Sequence, residues 1–177
     1  MKSLFHTGLL TLLLLISPTL SRSQTTVEQT SSPPGKWRVE RDVSALTDAN
    51  NVYWILQSEN MVRNAIRQEE RALLMVMCHQ NETRFIFDLQ NYMGSSGIKM
   101  AYRIDKGQVR RETVNVSEGG RTFGYWNGTG IPFLKQLASS SNLVIAAKPY
   151  SEGDVEAIFA LDGIDQVISD VRKTCKW

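Results

Sequence analysis

The sequence predicts an α+β fold: a mainly antiparallel β-sheet or sandwich with a short middle helix and a C-terminal helix. Three observations predict it. Short segments alternate apolar with charged residues, as in Trp37-Arg38-Val39-Glu40-Arg41 and across residues 98–104. Turn formers punctuate them closely, at Asn50-Asn51, His79-Gln80-Asn81-Glu82, Asp105-Lys106-Gly107 and Glu118-Gly119-Gly120. Only residues 131–138 and 163–175 space their apolar side chains as helices do, and helices set apart from runs of strands belong to antiparallel sheets.

Residues 37–41 form a half-buried strand, and the β-branched and aromatic stretch 52–58 forms the next. Residues 60–70 are polar and fit either a short helix or a loop. Residues 72–78 are continuously apolar, which suits a central strand buried on both faces. A turn at 79–82 returns the chain into 83–89, where Phe85 and Phe87 share a face, so the two strands form a hairpin. Residues 98–104 and 108–116 pair across Asp105-Lys106-Gly107, with a parity switch that places a bulge near Arg110-Arg111. A short strand at 121–126 follows. Pro132 sits in the first turn of the helix at 131–138. Strands at 142–147 and 155–161 lead to the last helix, with Asp162 as its N-cap and Arg172 and Lys173 near its negative end.

Residues 1–23 read as a secretory signal peptide. Lys2 supplies the positive start, residues 9–16 the apolar run, and Ser21 and Ser23 small residues two apart before the cut. The run is shorter than the ~20 residues a membrane-spanning helix needs, and no later segment is apolar enough to cross, so no integral membrane segment is expected after cleavage. Residues 24–35, ending in Pro33-Pro34-Gly35, read as a flexible linker, and 36–177 as one α+β domain. The chain has 20 Lys and Arg against 18 Asp and Glu. Lys2 and Arg22 leave with the leader, so the mature chain is balanced. A nucleic-acid binder carries a basic excess or stripe, and neither is visible, so no nucleic-acid partner is expected.

Cys78 and Cys175 are the only cysteines. In an exported chain an even, minimal count reads as one disulfide. Free thiols or a metal site are the alternatives, the latter disfavoured because His79 is the only histidine beyond the leader. A Cys78–His79 catalytic pair is disfavoured, since strand neighbours point to opposite faces. Glu69-Glu70 and Asp154 with Glu156 read as solvated surface rather than acid–base pairs. Gly128-Thr129-Gly130 reads as a turn opening a helix rather than an anion cradle. Asn81, Asn115 and Asn127 begin glycosylation-type triplets. Trp37 and Trp54 are read as core. Tyr92, Tyr125, Trp126 and Asn127 lie in loop-rich stretches and form the candidate binding surface.

One ordered set of residues points to a family. It comprises Gly35-Lys36-Trp37, Ser44 and Asp48, the apolar strand ending in Cys78, and Asn81-Glu82-Thr83. It continues with Tyr102-Arg103-Ile104-Asp105, residues 131–137, Phe159-Ala160-Leu161-Asp162-Gly163 and Cys175-Lys176-Trp177. This set resembles the VasI/TagO family of type VI secretion-associated proteins across nearly all of the mature domain. The resemblance implies a Gram-negative periplasmic accessory protein, not a known enzyme.

The expectation is therefore a periplasmic or secreted, non-catalytic accessory or binding protein that assists or regulates a type VI secretion system. No metal or cofactor is expected. Its partner would be a secretion-system protein or the cell wall. The alternative is a secreted inhibitor of a hydrolase such as a lysozyme or protease, acting through loop 92–97 or 125–130.

Overall fold

The computed structural model describes residues 35–150 and 153–177. The expected leader and nearly all of the expected linker lie outside the described residues. The first half contains β1 (Arg38–Val43), β2 (Asn50–Arg63), β3 (Glu69–His79), β4 (Glu82–Asp88), β5 (Ile98–Ile104), β6 (Arg110–Val116) and β7 (Thr122–Tyr125). The second contains α1 (Ile131–Leu137), β8 (Asn142–Ala147), β9 (Val155–Ala160) and α2 (Ile164–Cys175). This is the predicted α+β, mainly β architecture.

The strands form one antiparallel sheet in the order β1-β2-β3-β4-β7-β6-β5-β8-β9. Period-2 alternation builds its core. Val52, Trp54 and Leu56 of β2 stand opposite Cys78, Val76 and Leu74 of β3, and all six are buried. Val76 and Leu74 in turn oppose Phe85 and Phe87 of β4. Phe87 lies 6.3 Å from Phe159 of β9, ring centre to ring centre, so strands distant in the sheet order share one core. The hairpin between β3 and β4 turns on Gln80 and Asn81, both at positive φ, the backbone that a two-residue hairpin needs to match strand twist.

The sheet curls until β9 lies alongside β2, and the segment that meets it is the one whose polarity fitted a helix or loop. There β2 continues to Arg63, and the stretch breaks pattern because it holds a bulge between Gln57 and Met61. Ser58 Oγ accepts the Ala72 N–H at 2.9 Å and donates to Asn60 O at 2.6 Å, while Arg71 donates to the Glu59 carbonyl at 2.8 Å. These bonds satisfy backbone groups that a bulge would otherwise leave bare. The bulge expected near Arg110-Arg111 is absent: β6 pairs with β5 in unbroken register from Arg110 to Val114.

Helix α2 lies over β2, β3 and β4 through buried Ile164, Val167 and Val171. Its C-terminal Cys175 is bonded to Cys78 at the end of β3, with Cα atoms 5.6 Å apart and 97 positions between them in sequence. The N-cap is Gly163 at φ +88°, not the expected Asp162: the sharp approach from β9 needs a left-handed residue at that point. Asp165 in the first turn instead accepts the Ser139 N–H at 2.8 Å, tying α2 to the end of α1. Gly35 is also obligatory, because at φ +58° an added Cβ would lie 2.5 Å from the Asp162 carbonyl oxygen.

Candidate functional site

The four candidate surface residues lie at two places. Tyr92, in the loop between β4 and β5, is 49% exposed and meets Tyr150 edge-on with ring centres 6.0 Å apart. The Tyr150 N–H donates to the Tyr92 carbonyl at 3.0 Å. Tyr125, Trp126 and Asn127 lie together at the far end of β7. Gly120, against which the Tyr92 ring packs, precedes β7, whereas Tyr125 ends it. Tyr125 is half-buried and stacked on Phe133 at 5.2 Å. Its hydroxyl donates to Glu112 at 2.5 Å, and burial, reinforced by that carboxylate, raises its pKa above the ordinary tyrosine value. Trp126 is half-buried and Asn127 is exposed at φ +53°.

Gly128, Thr129 and Ile131 donate their N–H groups to the carbonyls of Thr83, Trp126 and Gly128. The Gly128 and Thr129 donors are therefore spent on the fold. Cys78 is in the disulfide, so it has no thiol to pair with His79, whose Nδ1 meets the Tyr53 hydroxyl at 2.8 Å. Glu70 accepts a hydrogen bond from Asn64 at 3.0 Å in the β2–β3 turn. Among the described residues no group of three His, Cys, Asp or Glu is placed to hold a metal ion.

A different surface emerges on the outer face of β5, β6, β8 and β9. Ile98, Met100 and Tyr102 of β5 are buried, so Lys99, Ala101 and Arg103 face outward. The β5–β6 register sets Arg111 opposite Ala101 and Thr113 opposite Lys99. On the other side Val144 pairs with Arg103 and with Ile158, and Ala146 with Ala101. Half-buried Ala101, Val144, Ala146 and Ile158 make a low apolar floor, with Lys99, Arg103 and Arg111 exposed around it. Lys148 follows β8, exposed, and Lys106 sits exposed in the turn after β5.

At one end of this face lies a cleft of about 590 Å³ lined by Arg103, Asp105, Lys106, Ser141, Asn142, Val144 and Ile158. Asp105 shapes it. One Asp105 carboxylate oxygen accepts the Ser141 N–H at 2.9 Å and the Asn142 N–H at 2.8 Å, and its own N–H donates to the Asn142 carbonyl. The loop before β8 is thereby fixed to the turn after β5.

The ion pairs among the described residues are Lys36–Glu59, Arg38–Glu40, Arg41–Asp170 and Arg84–Glu82, and all lie on β1–β4, the segment just before β1, or α2. None involves Lys99, Arg103, Lys106, Arg111 or Lys148. The acids on that side among the described residues are Asp105, engaged with backbone donors, and exposed Asp154 and Glu156. Sequence reasoning missed this face because net charge was balanced and the basic residues are spread from 99 to 148. The available signal was parity: Lys99, Arg103 and Arg111 share a face once the hairpin is folded. The same pattern is what imitated a bulge in β6.

The sequence of the chain matches, over residues 17–177, the protein family described as type VI secretion system VasI, EvfG. No functionally curated protein matches it significantly. Among solved structures, the chain is similar to the crystal structure of invasion associated protein B from Bartonella henselae. The two share 11% identity at a TM-score of 0.54, over 81% of this chain and 95% of that one. At that identity the likeness is one of fold. The family match spans nearly the whole sequence, and the chain belongs to the type VI secretion system VasI family.

Proposed function

We propose that the protein is a non-catalytic accessory protein of a type VI secretion system that works in the periplasm by binding another protein. The observation that carries this reading is the family match across residues 17–177. The Cys78–Cys175 disulfide supports an oxidising compartment, where such bonds persist. The leader-like residues 1–23 support export. Two of the groups weighed for chemistry in the sequence are used by the fold: Cys78 is oxidised, and the N–H groups of Gly128 and Thr129 are bonded to carbonyls of the chain.

The test is genetic complementation in a strain with an active type VI system. Deleting the gene should lower type VI-dependent secretion and killing of neighbouring cells. The chain with its leader should restore both, and residues 24–177 without the leader should not. Unchanged secretion after deletion would contradict the accessory role. Equal rescue by the leaderless chain would contradict a periplasmic site.

A further inference from the structure

We propose that the outer face of β5, β6, β8 and β9 is a docking site for an acidic, extended segment of a partner protein. The cleft lined by Arg103, Lys106, Asn142, Val144 and Ile158 would receive an apolar side chain flanked by carboxylates. The proposal rests on the reading above, that the protein acts by binding another protein, and adds where and by what chemistry.

Three observations carry it. The first is charge: Lys99, Arg103, Lys106, Arg111 and Lys148 surround the face and make no ion pair among the described residues, and they outnumber the exposed acids beside them, Asp105, Asp154 and Glu156. A surplus of basic over acidic side chains on one face attracts an anionic partner and speeds its encounter. The second is the floor. Val144, Ile158, Ala101 and Ala146 are small or medium, half-buried and recessed below the longer basic side chains, so the face accepts side chains rather than inserting its own. The third is rigidity: the Asp105 carboxylate holds the Ser141 and Asn142 backbone, so the cleft wall is formed before any ligand arrives.

The same observations select among anionic partners. Single-stranded nucleic acid is held by aromatic side chains on which bases stack, and no Trp, Tyr or Phe points outward from this face. A membrane surface is gripped by apolar or aromatic groups that protrude, and here the apolar groups are recessed. An acidic peptide with apolar side chains at alternate positions matches both the rim and the floor.

The experiment uses residues 24–177 and a fluorescein-labelled peptide of alternating glutamate and valine, read by anisotropy. Anionic phosphatidylglycerol vesicles and a single-stranded oligodeoxynucleotide are compared alongside. The expected result is saturable peptide binding that weakens with salt and falls at least about tenfold in Arg103→Gln/Lys106→Gln. Arg67→Gln, in the β2–β3 turn, should leave it unchanged. Melting temperatures confirm that the variants fold. Absence of peptide binding, equal loss in both variants, or preferential binding of the vesicles or the oligonucleotide through Arg103 and Lys106 would overturn the proposal. Complementation separates the two readings. If deletion abolishes secretion but Arg103→Gln/Lys106→Gln restores it fully, only the docking face is wrong. If deletion has no effect, the accessory role itself is wrong.

Discussion

The side chain of Asn60 takes the place of a neighbouring strand for Ile158. Its Oδ1 accepts the Ile158 N–H at 2.9 Å and its Nδ2 donates to the Glu156 carbonyl at 2.9 Å, the pair of bonds a peptide unit would make. The bulge in β2 turns Asn60 toward β9, and the amide closes a gap between two strands that the ladder itself leaves unpaired. Fixing β9 in this way also fixes Ile158, which forms part of the cleft floor.

Asn60→Ala should leave both β9 groups without a protein partner. The expected cost is about 1–2 kcal/mol, a drop of a few degrees in Tm. The Ile158 amide should lose hydrogen-exchange protection before its neighbours in β8 do. Unchanged protection at Ile158 would show that the strand is held by other contacts.

Asp170 offers a contrast between two bonds of equal length. Its Oδ2 accepts Trp54 Nε1–H at 2.7 Å and Arg41 at 2.7 Å. Trp54 is 2% exposed, so losing its acceptor strands a buried donor, whereas Arg41 is half in water. Asp170→Ala should therefore cost about 1–3 kcal/mol, and Arg41→Ala less than about 1 kcal/mol. Urea denaturation of both variants decides it, and equal losses would contradict the ranking.

Cys175→Ser should lower the Tm and loosen α2. In the chain-entropy model a loop of 97 residues gives an upper figure of roughly 4–5 kcal/mol. Wild-type protein melted with and without reductant checks it: identical curves would mean that the bond does not form in solution.

Burial pushes the Asp88 carboxyl above its ordinary value, opposed by the Gln90 N–H that it accepts at 2.7 Å. A carboxyl raised in the folded state favours its neutral form there. Folding thus loses stability as pH rises from the unfolded carboxylate value through the folded one. Asp88→Asn keeps an acceptor for Gln90 and removes the charge. It should raise the Tm at pH 7, with the gain vanishing near pH 3. A uniform change at both pH values would point to altered packing instead.

Much of the fold was legible because strand periodicity is local. Strands β5 and β8 match their expected residues 98–104 and 142–147, and both helices lie where apolar spacing put them. The cysteine pairing followed from composition and compartment. What was hidden depends on contacts far apart in sequence. Residues 60–63 look unlike a strand because Asn60 serves β9, 98 positions away from it at Ile158. The basic face joins Lys99 to Lys148 through the register of three strands, so no window of sequence displays it. Tyr92 and Tyr125 both lie in loop-rich stretches of sequence, yet β7 separates them in the fold.

A protein that serves a type VI secretion system by binding one of its proteins must meet that partner in the cell. In-cell crosslinking in the periplasm followed by affinity capture of the full-length chain tests it most directly. The expected result is a stoichiometric crosslink to a type VI secretion component, lost in Arg103→Gln/Lys106→Gln. Stoichiometric recovery of a lytic enzyme, with no secretion component crosslinked, would contradict it and identify the chain as a hydrolase inhibitor.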